Sequence, residues 1–239
     1  MVTRDFSQRS TQTELMDTES ISFAEFHDCL RQLETINILT LAYRPTLQWF
    51  KRMLADPKSE QLMTVLDIGC GSGDMLRRIQ KWMQTRNFTF ELVGIDLNPW
   101  SKQSAELVTP KDVPIRFETS NLFALDPALR ADFIISSLFA HHLTDNELIH
   151  FLQWMDAHTM RGWFINDLHR HWLPFYFIKW VVRLLSRNRL IIHDAPISVA
   201  RAFTASDWRY FLMKADIPKE QTRVEWFFPF RYGISCRKA

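Results

Sequence analysis

Three glycines and three carboxylic acids mark where this chain is equipped for chemistry. The sequence holds six glycines, and Gly69, Gly71 and Gly73 all fall within residues 69–73. Glycine is concentrated there because the backbone must bend tightly and approach something closely. Asp67 stands before that turn, Cys70 inside it and Asp74 after it, and Asp96 follows roughly 20 residues later, where nucleotide sites place a ribose-binding acid. Acids on both sides suit a ligand with a cationic amino-acid end. A pyrophosphate wants the amides and the helix dipole with no acid beside them. The G-x-G-x-x-G spacing of a dinucleotide site also fails, because its third glycine position is Asp74. A second constellation is the pair His141 and His142. One of them reads as a general base for an acceptor hydroxyl; the alternative is a pair that only shapes a pocket wall.

These residues need elements to hold them. Residues 64–68 read as a short buried strand, and Met75, Leu76, Ile79, Trp82 and Met83 recur at helical spacing after the turn. Residues 88–95 form a second strand with Asp96 and Leu97 at its tip, and Asn98-Pro99 starts a helix. Residues 115–119 are the third strand, followed by Asn121 and Leu122. Residues 131–137 are the fourth, near-continuously apolar as a central parallel strand should be, and end at Ser137. Thr144 and Glu147 form a capping box just past the histidines, which puts the pair at the carboxyl end of the sheet. Residues 163–168 are the fifth strand, with Asn166, Asp167 and His169 near its tip. Thr204 and Asp207 form a second capping box, and residues 224–228 and 231–236 make a closing strand pair. Strands alternating with helices give an α/β, doubly wound, mostly parallel sheet.

The flanking segments read as follows. Residues 1–17 are polar and are expected to be loosely ordered. Residues 21–41 carry Phe23, Phe26, Leu30, Leu33, Ile36 and Asn37 near one helical face, and a second helix starts around Pro45. Residues 1–60 thus form an N-terminal helical cap and residues 61–239 the main domain, with an insertion at about 170–202. Residues 172–185 are apolar on most sides. They read as a lid that holds an aromatic or lipid-like acceptor against Trp172 and Tyr176, or as a helix packed on the domain or on a twin subunit in a homodimer. Residues 193–196 read as a loop, and Arg201 as a lining of the acceptor side.

Composition sets outer limits. The 239 residues make one domain, and 19 Phe with 9 Trp supply a large core. A formal net charge of +2 gives no concentrated basic face, so no nucleic-acid partner is expected. Cys29, Cys70 and Cys236 are odd in number and far apart, which suggests a reducing, cytoplasmic setting without disulfides. No signal-type apolar run opens the chain, and residues 172–185 are too few to cross a bilayer. No metal is expected.

The string D-x-G-x-G-x-G at residues 67–73 resembles motif I of the class I S-adenosylmethionine-dependent methyltransferases. Residues 30–49 (LRQLETINILTLAYRPTLQW) are similar to the leader of bacterial small-molecule methyltransferases of polyketide- and quinone-type pathways. The resemblance implies a Rossmann-like seven-stranded sheet with an antiparallel last strand, and S-adenosylmethionine as cofactor. It implies cofactor contacts from Asp67, Gly69, Cys70, Gly71, Gly73, Asp74 and Ser137, ribose contacts at Asp96 with Leu97, and adenine contacts at Asn121 with Leu122. The family's Asn-Pro-Pro-Tyr type motif for nitrogen acceptors is absent after the fourth strand. The expected activity is therefore methylation of a hydroxyl or carbon of an aromatic or polyketide-like small molecule in secondary metabolism. A non-catalytic partner subunit of the same fold is the alternative, and the glycine spacing argues against a nicotinamide oxidoreductase.

Overall fold

The computed structural model describes residues 5–54, 62–86 and 88–238. Seven strands form one sheet: β1 (Met63–Ile68), β2 (Phe90–Asp96), β3 (Ile115–Thr119), β4 (Ala131–Ser137), β5 (Thr159–Leu168), β6 (Thr222–Phe227) and β7 (Arg231–Arg237). Their order is β3-β2-β1-β4-β5-β7-β6. β1 to β5 are parallel, and β7 runs antiparallel to both β5 and β6. The chain first winds outward from β1 to β3, then returns to lay β4 on the other side of β1. The crevice at that reversal, outside the carboxyl ends of β1 and β4, is where such sheets bind ligands.

Alternation along the strands sends side chains to two faces. Val65, Leu92, Phe133, Ile135 and Phe164 meet α3 (Arg44–Met53) and α4 (Asp74–Gln84), with Trp49, Phe50, Leu76 and Ile79 buried between them. Leu66, Ile68, Val93, Ile95 and Ile134 meet α6 (Asp145–His158) and α9 (Ala205–Lys214), with Phe151, Leu152 and Trp208 completely buried. Both capping boxes form: Thr144 with Glu147 opens α6, and Thr204 with Asp207 opens α9. Asn98 caps α5 (Pro99–Val108) through the Trp100 N–H at 3.0 Å.

A smaller layer covers the carboxyl end of the sheet. It consists of α1 (Leu15–Thr18), α2 (Phe23–Leu39), α7 (Trp172–Leu185) and α8 (Arg189–Arg201). Cys29 and Ile36 of α2 pack with Val182 of α7 and with Leu190 and Ile191 of α8. Two expectations fail here. Residues 193–196 lie inside α8 rather than in a loop, with Pro196 in the helix interior. A proline there costs about 3 kcal/mol. Asn188 capping Leu190 N and the burial of Ile191, Ile197 and Val199 offset it. Residues 5–17 are ordered by specific contacts. The Arg170 guanidinium donates to Phe6 O and Ser7 O, Arg9 lies 4.1 Å over the Phe203 ring, and the Asp194 carboxylate accepts from the first amides of α1, Leu15 N and Met16 N, at 2.8 and 3.0 Å. Residues 1–4, and the expected boundary near residue 60, lie outside the described residues.

Candidate functional site

The glycine turn sits at the carboxyl end of β1. Gly69 and Gly73 both have φ 73° and Gly71 has φ 51°, backbone that L side chains rarely adopt. Space excludes a side chain too. A Cβ on Gly69 would lie 2.7 Å from the Phe139 ring, and one on Gly73 would run into the Phe117 ring. Asp96, at the end of the neighbouring strand, accepts from Gly71 N and Asn98 N, both at 2.9 Å, so its carboxylate braces the turn. Asp74 opens α4 and accepts from Tyr43 Oη at 2.6 Å and Asn37 Nδ2 at 3.3 Å. Asp67 is completely buried, and its Oδ1 has no hydrogen-bond partner among the described residues. Burial, then the charges of Asp74 and Asp96, push the Asp67 pKa well above the usual carboxylate range. Burial raises the Asp96 pKa as well. Buried carboxylates that repel one another and leave an acceptor open fit a ligand carrying positive charge.

The remaining expected cofactor residues gather at the same edge. Cys70 is buried in the turn, and burial with the three acids raises its thiol pKa, so it acts as a small packed residue. Leu97 is exposed just past Asp96. Leu122 is buried, and Asn121 is exposed beside it, its side-chain oxygen accepting from Phe123 N at 3.0 Å. Ser137 ends β4 next to β1, and its Oγ has no partner among the described residues.

A cavity of about 140 Å³ lies beside this crevice, walled by α2, α7, α8 and the segment after β4. Its apolar wall is Cys29, Leu33, Ile36, Leu168, Ile178, Val182, Leu190 and Ile191; its polar side is Glu14, Asn37, Thr40, His141, His142, Asp194 and Arg231. Asn37 joins the two spaces, because it lines the cavity and donates to Asp74. The cavity matches one aromatic ring in volume, as cavities of about 150 Å³ take up benzene.

His141 is almost wholly buried and is held from behind. Its Nδ1 lies 2.7 Å from Asp167 Oδ1, and its backbone N–H donates to Asp167 Oδ2 at 3.0 Å. Burial works against the Asp167 carboxylate, but His141 outweighs it and holds that pKa below the usual value. A carboxylate only accepts, so Nδ1 carries a proton toward Asp167, and Nε2 is the acceptor of the ring in its neutral form. His142 is held in parallel: Nδ1 lies 2.9 Å from Asp17 Oδ2, and Nε2 lies 3.8 Å from Glu14 Oε2. Burial lowers the His142 pKa, while Asp17 and Glu14 raise it by more, so it ends above the usual histidine value. Glu14 faces both rings, its Oε1 being 3.8 Å from His141 Nε2.

Ligand atoms of Glu14, His141 and His142 all lie within 4.8 Å of one another, the group among the described residues that could grip a metal ion. Both Nδ1 atoms already have carboxylate partners, as they do around bound metals. The 3.8 Å separations exceed the about 3.4 Å between neighbouring ligands of a tetrahedral zinc. Gripping an ion would require the site to contract.

Three expected acceptor residues sit elsewhere. Trp172 and Tyr176 are exposed on the outer side of α7, whose inner side presents Ile178 and Val182 to the cavity. Arg201 donates to His141 O at 3.1 Å and His142 O at 2.8 Å, so it fixes the histidine segment from outside the cavity. His169 stacks on His171 and is not among the cavity residues. Sequence reasoning missed Glu14, Tyr43 and Arg231, and set Asn37 on the apolar face of α2 without a role. Glu14 lies in a polar stretch without periodicity, and nothing local marks it. Arg231 had one signal, a charge at an inward position of a buried strand; it is 4% exposed and its Nη1 has no partner among the described residues.

Comparison with known proteins agrees with this fold. The family described as "Methyltransferase domain" matches residues 40–214. A search of curated proteins finds no match. Among solved structures, human N-acetylserotonin methyltransferase in complex with SAM is similar at TM-score 0.65 and 15% identity, over 91% of this chain and 57% of that one. The chain thus spans under two thirds of that protein. The plantazolicin methyltransferase BpumL in complex with SAH is similar at TM-score 0.64 and 15% identity, over 87% of this chain and 90% of that one. Magnesium protoporphyrin IX methyltransferase from Synechocystis PCC 6803 with bound SAM follows at TM-score 0.54 and 14% identity, over 83% of this chain and 81% of that one. These identities carry the fold; the family match covers most of the chain, which therefore belongs to the methyltransferase domain family.

Proposed function

We propose that this protein transfers the methyl group of S-adenosylmethionine to a hydroxyl, or an acidic carbon, of an apolar ring-bearing small molecule held in the cavity. The observation that carries this reading is His141: buried, fixed by Asp167, and lining a mostly apolar cavity beside the glycine turn. The donor, when bound, supplies a methyl on a positively charged sulfur that is its own leaving group. Asp67, Asp74 and Asp96 would hold its cationic and ribose ends. Arg231, with one nitrogen open, would face its carboxylate.

The chain's task is placement and one proton. Ile178, Val182 and Leu190 exclude water and hold the acceptor ring. His141 Nε2 takes the acceptor proton, and the resulting imidazolium lies between Asp167 and Glu14, both carboxylates. General-base help of this kind contributes about 10²- to 10⁴-fold. The acceptor would be an aromatic or polyketide-like molecule of secondary metabolism, one ring of which the cavity's size and apolar wall would take. Three free, buried cysteines fit a cytoplasmic setting. The intact turn and its acids weigh against a non-catalytic partner subunit.

Calorimetry with S-adenosylhomocysteine tests the donor half. The wild type should bind, and Asp96→Ala should weaken binding by about tenfold or more, the loss of a charge-assisted hydrogen bond. No binding by the wild type, or equal binding by the variant, would remove the assignment.

A further inference from the structure

Much of the outer face of α7 is left exposed by the described residues. Trp172, Tyr176, Trp180 and Leu184 recur at four-residue steps, which puts them on one helical face. All four are exposed, Trp180 at 73% and Leu184 at 85%. The patch crosses to a second element. Phe177 of α7 meets Phe230 in the turn between β6 and β7 with ring centroids 5.4 Å apart, and Phe228 in the same turn is 63% exposed. A contiguous apolar surface of this kind marks an interaction site.

Charge identifies the partner. Between Asp167 and Asp194 the sequence has no Asp or Glu at all, while Lys179 and Arg183 lie on α7 and Arg187 just beyond it. Arg183 and Arg187 are exposed. Trp, Tyr, Phe and Leu flanked along the chain by cations alone are the composition of a helix that lies in the interface of an anionic membrane. A second copy of the chain fits less well, because a two-fold pairing sets the same patch against itself and brings like charges together. We propose that α7 and the β6–β7 turn seat the protein on the surface of an anionic lipid bilayer. The seat is peripheral, since no described helix is long and apolar enough to cross a membrane. The inner face of the same helix lines the cavity through Ile178 and Val182, so the acceptor chamber lies directly behind the docked surface.

Vesicle co-sedimentation of the full chain tests the inference. Vesicles of phosphatidylcholine mixed with phosphatidylglycerol should carry the protein down. Vesicles of phosphatidylcholine alone should carry markedly less, and added salt should release it. Each of Lys179→Gln and Arg183→Gln should lower partitioning about fivefold, the equivalent of roughly 1 kcal/mol per charge near an anionic surface. Trp180→Glu with Leu184→Glu should abolish it while S-adenosylhomocysteine binding stays at the wild-type level, which shows that the variant is folded. No sedimentation with either vesicle would overturn the proposal. So would a wild-type dimer that the Trp180→Glu, Leu184→Glu variant splits without any vesicle binding by either protein.

Discussion

The proposed donor crevice and the proposed acceptor chamber share a wall at Asn37 but are built in opposite ways. The crevice is local: Asp67, the three glycines and Asp74 lie in one short stretch, and Asp96 stands at the tip of the adjacent strand. The chamber is assembled from a distance: Glu14 comes from the N-terminal segment, Ile36 from α2, His141 from beyond β4, Val182 from α7 and Arg231 from β7. The crevice is rich in carboxylates and fixed by backbone geometry. The chamber is mostly apolar and fixed by side-chain packing. A ligand that never changes can be met by a short, rigid piece of chain, whereas a particular acceptor is met by whatever helices cover the sheet.

Breaking the chamber's chemistry should have the largest effect. His141→Gln should lower turnover about 10²- to 10⁴-fold in a labelled-methyl assay with a responsive phenol, while S-adenosylhomocysteine binding stays unchanged. Loss of binding together with turnover would mean that the two halves are not separable at this residue. Breaking the crevice should cost stability instead. Gly73→Ala forces a positive φ on a residue with a Cβ, costing about 1–2 kcal/mol, and displaces the Phe117 ring, costing about 1–3 kcal/mol more. A melting temperature equal to that of the wild type would deny the turn its rigidity.

Protonation sharpens the contrast further. The His142 pKa is raised, so its stabilisation is complete below the unfolded value near 6.5 and is lost as pH rises through the higher folded value. The Asp17 pKa ends lowered, because His142 outweighs burial, so its stabilisation is lost as pH falls through the folded value. The N-terminal segment should therefore be tightest from mildly acidic to near-neutral pH. Amide exchange at Leu15 and Met16, corrected for its intrinsic pH dependence, should accelerate as His142 deprotonates, while Gly71 shows no such step. The smallest expected effect is none: dialysis against a chelator should leave turnover unchanged. Loss of activity restored by zinc would reassign Glu14, His141 and His142 as ligands.

The same contrast explains what could be read from the sequence. The strand, glycine turn and helix, the tip acid Asp96, both capping boxes and the closing hairpin follow from short-range rules, and the fold carries them where those rules place them. The chamber resisted. Pro196 reads as a break because the rule for proline is local, while the burial that overrides it comes from Ile191, Ile197 and Val199 meeting other elements. Trp172 and Tyr176 read as acceptor contacts because their helix is apolar nearly all round; composition cannot say which side faces in. Glu14, in a polar stretch, and Asp194, in an expected loop, carry no local signal; the fold brings one against two imidazoles and the other onto the first amides of α1.

Residues 40–214 carry the family signature, yet Glu14, Cys29, Leu33, Ile36, Asn37 and Arg231 fall outside it. The cavity wall is thus drawn partly from outside the family match, while His141, Ile178, Val182 and Leu190 come from within it. Grafting residues 5–39 from a relative would exchange part of the cavity's wall together with the Asn37 bond to Asp74, so the two spaces would change together.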